Sequence, residues 1–407
     1  MAILSGLSAE IRQYLIVTGN YWAFTLTDGA LRMLVVLHFH GLGYSPLAIA
    51  MLFVFYEVFG VITNLIGGWL GARLGLNKTM NIGLALQVMA LSMLLVPATM
   101  LTMPWVMAAQ ALSGIAKDLN KMSAKSSIKL LVPSDAQGTL YKWVAILTGS
   151  KNTLKGLGFF LGGALLAMVG FNGAVGAMAG VLAIVWLFSI VMLEKDLGKA
   201  KYKPKFTDIV SKSRAINYLS AARMFLFGAR DVWFVVALPV FLTSSFGWDH
   251  WYVGGFLALW VIGYGGVQSL APYLTGMRTG KVPDGKDAFF WSLLLTFIPA
   301  LIALSLMNDV RPEISLLGGL LVFGALFAIN SSLHSFLIVS YAADDGVSLD
   351  VGFYYMANAM GRLIGTVLSG WLYQELGLIA CLWVSSCFLI LAAFITHLLV
   401  PHHNTAL

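Results

Sequence analysis

The feature that most constrains this chain is a recurrence, from end to end, of apolar stretches long enough to cross a lipid bilayer. Twelve are predicted, at 14–38, 46–71, 79–97, 104–124, 142–166, 174–193, 218–245, 252–274, 288–307, 315–341, 351–373 and 379–400. Each fits the ~20 residues that a helix needs to span the hydrocarbon core. Turn signals fall between them, such as Gly43-Tyr44-Ser45-Pro46, Pro97 with Pro104, Gly170-Phe171-Asn172-Gly173, and Asn308 to Pro312. In lipid the backbone must satisfy its own polar groups, so the expectation is an all-α membrane protein with twelve transmembrane helices. Composition agrees. Charged residues make up 11% of the chain, against about 25% in soluble domains. The net charge of +7 carries no nucleic-acid signal, because most of it belongs to loops on one membrane face.

With the N-terminus inside, Arg12, Arg73, Lys78, Lys129, Lys195, Lys199, Lys201, Lys203, Lys205, Lys212, Arg214, Arg278, Lys281 and Lys286 occupy inner loops. The outer loops hold only Arg311. Both termini are therefore expected in the cytoplasm. No cleavable leader is expected, since residues 1–13 lack a basic region followed by an apolar core. Nor does Met1-Ala2 fit the myristoylation pattern. The one long polar connector, 195–217, divides the chain into a six-helix bundle at 1–194 and another at 218–407. Cys381 and Cys387, six apart on one helix, point about 240° apart and are expected to be packing residues.

The halves echo one another. Asp28 and Asp231 lie 203 positions apart, as do Gly60 and Gly263, and Gly43-Tyr44-Ser45 finds a counterpart in Gly247-Trp248-Asp249. Gly68-Trp69-Leu70 with Leu74-Gly75-Leu76 reappears as Gly370-Trp371-Leu372 with Leu376-Gly377-Leu378, and more weakly as Gly162-Gly163 to Gly170. Likeness among the ends of spans 2, 5 and 11 is what three-helix repeats nested in two parallel halves would give.

Ionisable residues are distributed unevenly among the spans. Spans 3, 6, 8 and 9 hold none, and span 12 holds only His397. Asp28, Arg32, Glu57, Lys117, Asp118, Lys151, Lys155, Arg223, Arg230, Asp231 and Arg362 lie away from span ends, with Asn330 and His334 in span 10. Such residues usually face a cavity rather than lipid. Lys117, Lys121, Lys125 and Lys129, four apart, form one slowly winding stripe that is read as guiding an anion inward. Lys125 and Lys129 are expected at a solvated helix end, and Lys117 about 20 Å past Pro104, where it costs most to face lipid. Asp28 and Arg32, an i, i+4 pair, are candidates to neutralise each other. Arg230 and Asp231 diverge by about 100° and are expected to pair with other helices. Two of the six mid-depth bases (Arg32, Lys117, Lys151, Lys155, Arg230, Arg362) are left uncompensated by the acids Asp28, Glu57, Asp118 and Asp231. No metal-ligand spacing, nucleophile triad or phosphate-binding loop is present, so no cofactor is expected and a membrane enzyme or sensor is disfavoured. An exporter of cationic drugs, using Asp28 and Glu57, conflicts with the basic excess.

The twelve spans, the central connector and the repeats resemble the major facilitator superfamily of transporters. Residues 68–78, GWLGARLGLNK, are similar to that superfamily's G-x-L-x-D-R-x-G-x-x-K signature, with Ala72 where aspartate is usual. More closely, 17–40, 109–133 and 225–242 resemble the ArsJ-type permeases of bacterial arsenic-resistance operons. That resemblance implies export of 1-arseno-3-phosphoglycerate across the inner membrane, the substrate being made from arsenate by a dedicated glyceraldehyde-3-phosphate dehydrogenase. A phosphate-bearing ligand wants forked arginine donors, for which Arg230 and Arg362 are the best pair. Lys117 and Lys155, together with Arg32, Lys121 and Lys151, add point charges, while Asn330, His334 and Asn358 meet carboxylate or hydroxyl oxygens. A monomer is expected.

Overall fold

A computed structural model of the chain describes residues 8–44, 49, 51–194, 197–201, 204–209, 213–248, 250–276 and 280–399. Ser45, Pro46, Lys195, Lys203, Lys212, Asp249 and Arg278, used above as turn or loop residues, lie outside them. The long elements described are all helical: α1 (Ala9–Gly41), α2 (Val54–Leu74), α3 (Leu76–Met93), α4 (Met103–Leu131), α5 (Gln137–Met192), α6 (Arg214–Phe234), α7 (Ala237–Phe246), α8 (His250–Leu274), α9 (Gly285–Met307), α10 (Pro312–Tyr341) and α11 (Val347–His397). Six helical stretches among the described residues are long and apolar enough to cross a membrane: α5, α6 with α7, the Tyr252–Leu274 part of α8, α9, α10 and α11. On the second part of α5, Ile184, Leu187 and Val191 are exposed large apolar side chains, as a lipid-facing surface requires.

Two of these helices are longer than one crossing and break at glycine. Gly170 interrupts α5 (φ 69°, ψ 179°) and Gly377 interrupts α11 (φ 76°, ψ −175°). Gly75, which separates α2 from α3, takes nearly the same conformation (φ 99°, ψ 149°). This region of backbone space is essentially closed to residues with a Cβ. The three glycines that the sequence echo aligned thus perform one job, breaking the chain between successive helices.

The chain forms two compact units. The first comprises Met1–Leu140, Ser150–Ser211 and Ala342–Met356. In it α4 is the hub, packing against α1, α2 and α3. The small residues of α5 let it approach α1 closely: a Cβ on Gly158 would lie 2.7 Å from Leu26 O, and one on Gly29 2.7 Å from Lys155 O. The described part of the connector is strapped to this unit. Leu76 N–H donates to Leu197 O (2.8 Å), Ala200 N–H to Ala72 O (2.8 Å), Lys201 N–H to Asp345 Oδ1 (2.9 Å) and Trp69 Nε1–H to Pro204 O (3.1 Å).

The second unit comprises Tyr141–Gly149, Lys212–Tyr341 and Ala357–Leu407. Its core is aromatic. Trp233 meets Trp260 and Phe323 edge-on, and Trp260 Nε1–H donates to Leu320 O at 2.9 Å. The span predicted as continuous over 218–245 is interrupted at 235–236. Ser369 Oγ accepts from both Val236 N–H (3.3 Å) and Ala237 N–H (3.1 Å), satisfying the donors that the break releases. At the start of α9, Asp284 and Asp287 form a reciprocal cap. Asp287 also holds Lys281 Nζ at 2.5 Å and raises its pKa above the ordinary lysine value. Cys381 is buried and Cys387 exposed, both as free thiols.

Candidate anion-binding site

In the second unit the charges converge on Asp231, whose side chain is fully buried. Its Oδ1 accepts from Arg230 Nε at 2.6 Å and Nη2 at 2.5 Å, and its Oδ2 from Arg362 Nε at 3.1 Å. The expectation that Arg230 and Asp231 would pair with other helices holds for Asp231, which meets Arg362 on α11, and is corrected for Arg230. The Arg230 side chain is long enough to fold back on its neighbour, so of these two ion pairs it is the Arg362 one that crosses between helices. That crossing is tight because α6 and α11 meet at glycines: a Cβ on Gly365 would lie 2.7 Å from Gly228 O and 3.0 Å from Asp231 Cβ. Asp231 is the only acid in the Arg214–Phe246 span. Two guanidiniums on one carboxylate leave a formal excess of one positive charge. Arg362 is the more open of the two, its side chain 35% exposed against 15% for Arg230. Aromatic faces back Arg230, with Phe227 at 4.9 Å and Phe327 at 5.4 Å from its central carbon.

Arg223 lies two turns earlier on α6 and is buried. Its Nε donates to Asn358 Oδ1 at 3.0 Å and its Nη1 to Ser331 O at 3.2 Å. Its guanidinium stacks over Phe227 at 4.0 Å. Asn330 is engaged in helix packing, donating to Trp291 O and Leu326 O and accepting from Ser292 Oγ. His334 is fully buried, and neither ring nitrogen has a hydrogen-bond partner among the described residues.

The first unit has its own charge cluster around Tyr56. The Tyr56 hydroxyl donates to Asp28 at 2.8 Å, while Arg32 pairs with Glu57 at 3.2 Å. The Asp28–Arg32 expectation is corrected in its geometry: the direct partner of Arg32 is Glu57, and Asp28 accepts from the Tyr56 phenol. Lys117 Nζ stands 3.8 Å from the Tyr56 ring centroid and 3.9 Å from Asp118 Oδ2. Asp118 Oδ1 accepts from Lys121 at 2.6 Å. Lys121 and Lys125 both face the Tyr355 ring, at 4.8 and 4.9 Å. Lys129 pairs with Asp344 at 3.5 Å. The expectation of a solvated helix end fails at Lys125, whose side chain is among the largest fully buried ones. The stripe is a line of ammonium groups held by aromatic rings and carboxylates. Lys151 and Lys155 are half-buried on α5.

Three residues escaped the sequence reading of the site. Tyr56 and Tyr355 were lost among ordinary span aromatics, although Tyr56 adjoins Glu57. Arg223 was counted as a mid-span charge but not carried into the site.

Comparisons with known proteins come from two directions. Residues 14–283 match the family model described as Major Facilitator Superfamily. No curated protein sequence matches the chain. Among solved structures, the human organic anion transporter MFSD10 superposes with a TM-score of 0.76 at 17% identity, over 96% of this chain and 100% of that one. A bacterial homologue of the iron transporter ferroportin, outward-facing, gives 0.75 at 13% identity over 97% and 100%. The E. coli fucose:proton symporter FucP gives 0.73 at 10% identity over 96% and 99%. At these identities the likeness is one of fold.

Proposed function

The chain belongs to the major facilitator superfamily, a family of transporters, and on that footing we propose that it exports a small, multiply charged organic anion by alternating access. The cargo is 1-arseno-3-phosphoglycerate, which the resemblance to ArsJ-type permeases implies, and its export confers resistance to arsenate. The setting is a bacterial inner membrane, with twelve spans in two six-helix bundles at 1–194 and 218–407 and both termini cytoplasmic. A glyceraldehyde-3-phosphate dehydrogenase that forms the compound is its functional partner.

The observation that carries this reading is the sharing of one buried carboxylate, Asp231, by Arg230 and Arg362. A cationic cargo would be repelled by the residual charge, whereas an oxyanion completes it. Two planar forks can grip phosphoryl or arsenyl oxygens bidentately, which is the geometry that arginine favours. The organic-anion transporter among the structural neighbours is consistent with this reading. In the first unit, Lys117 and Lys121 with Arg32 supply positive charge, joined by Lys151 and Lys155, and steer the anion electrostatically. Asp28, Glu57, Asp118 and Asp231 hold bases in place as charge partners or take up the coupling proton themselves.

Expression in an arsenate-sensitive host tests the proposal, with and without the dehydrogenase. Resistance is expected only when both proteins are present, with no gain against lipophilic cations. Arsenate resistance that needs no dehydrogenase, or resistance to the cations instead, overturns the assignment of cargo.

A further inference from the structure

Among the described residues other than glycine, only Asp309 (φ 52°) and Arg311 (φ 40°) adopt a positive φ. Both lie in the turn between α9 and α10. A side chain is costly in that region of backbone space, and it persists there only where the surroundings impose it. Val310, between the two, is the fixed point. Its N–H donates to Ser305 O at 3.0 Å, and its carbonyl accepts from Ser315 Oγ at 2.7 Å. The turn therefore holds a carboxylate and a guanidinium two residues apart on a set backbone. Neither side chain forms a hydrogen bond or ion pair among the described residues. Arg311 is also the one base that the outer loops were expected to hold, against the inward bias of the rest.

Asp309 lines a cavity of about 600 Å³ in the second unit, within the size range of small-ligand sites. Phe241, Phe246, Tyr373, Leu376 and Ile379 form much of its wall. The rings of Phe241 and Phe246 meet edge-on at 5.2 Å, and the Tyr373 hydroxyl lies 3.2 Å from Ser244 Oγ. Arg311 is exposed, between the lining residues Asp309 and Pro312. Val240, Met307 and Val310, each next to a lining residue in sequence, are exposed apolar side chains. Trp371, two residues before Tyr373, is exposed as well. Apolar surface with exposed aromatics at helix ends is the mark of a membrane–water boundary.

We infer that this cavity holds the headgroup of a zwitterionic phospholipid of the phosphatidylethanolamine type. Asp309 takes the ammonium, with aromatic rings lining the same cavity, and Arg311 takes the phosphate. The apolar wall follows the first part of an acyl chain. Two opposite charges on one rigid turn match a head that carries both, whereas an anionic lipid leaves the carboxylate without a partner. The inference draws on the proposed function only for topology, which places this end at the outer leaflet. The site shares no residue with the arginine pair on Asp231.

Native mass spectrometry of the purified full chain, titrated with dioleoyl phosphatidylethanolamine or dioleoyl phosphatidylglycerol, tests the inference. The wild type is expected to bind the ethanolamine lipid at least tenfold more tightly. In D309N that preference should fall below threefold, through weaker binding of the ethanolamine lipid alone. R311Q should weaken both lipids, because they share the phosphate. Glycerophosphoethanolamine, the same head without chains, should not displace the lipid at equal concentration. Equal affinities in the wild type, a tenfold preference that survives in D309N, unchanged binding in R311Q, or displacement by the free head overturns the inference. No cargo enters these titrations, so each such outcome leaves the Arg230–Arg362 site standing, and a failure of anion uptake leaves the lipid site standing.

Discussion

At the scale of single residues, Asp231 is the pivot, because it pairs with both guanidiniums. In D231N the two arginines lose their shared counter-charge. Breaking a buried ion pair by removing one partner costs about 3–5 kcal/mol. D231N should therefore melt well below the wild type in detergent, and D231N/R230Q should recover part of the loss while remaining inactive. A double variant no more stable than D231N would show that the pair carries no stability. Lys117 offers a second test. Lys117→Met should insert normally and fail to confer arsenate resistance. Its substrate affinity should fall at least tenfold, about 1.4 kcal/mol, because charge interactions in a low-dielectric cavity exceed those in water several-fold. Lys117→Arg should retain part of the function, and near-normal affinity in Lys117→Met would move the site away from α4. The sequence revealed where these charges lie, since polar residues stand out in apolar spans. It could not reveal their pairing. Arg230 with its neighbour Asp231, and Tyr56 in place of Arg32 on Asp28, depend on side-chain reach and on which helix lies opposite.

At the scale of elements, legibility followed backbone chemistry. The echo of Gly75, Gly170 and Gly377 was readable because a helix break in that backbone region admits essentially only glycine. Gly170→Ala should cost about 1–3 kcal/mol, read as a lowered melting temperature. Gly180→Ala, in a helical position where a Cβ meets nothing, should be neutral. Equal melting of the two variants would contradict the assigned role of Gly170. The interruption at 235–236 was not readable, because its partner Ser369 lies 133 residues away. The lysine stripe was readable as a stripe but not as a buried one. Its fourfold spacing fixes a helix face, whereas burial of Lys125 depends on Tyr355, brought in from a distant part of the chain. Lys129→Gln should therefore be mild, since its partner Asp344 is exposed and such pairs contribute about 0–1 kcal/mol. Tyr355→Ala should impair transport more, as it strips an aromatic face from two ammonium groups at once. Vesicle transport rates of the two variants, compared at equal membrane amounts, check the order.

At the scale of the whole molecule, the superfamily assignment and the buried bases bear on one question, whether an anion crosses the membrane by way of Arg230 and Arg362. Everted membrane vesicles give the most direct answer. Uptake of phosphorus-labelled 1-arseno-3-phosphoglycerate, generated in place by the dehydrogenase from arsenate, would be followed in wild type, R230A, R362A, R230K and an empty-vector control. Saturable uptake is expected in the wild type. R230A and R362A should fall to the control level despite normal amounts in the membrane. R230K should recover little, because an ammonium lacks the planar fork. Wild-type uptake no greater than the control, or full uptake in R230A and R362A, would contradict the account.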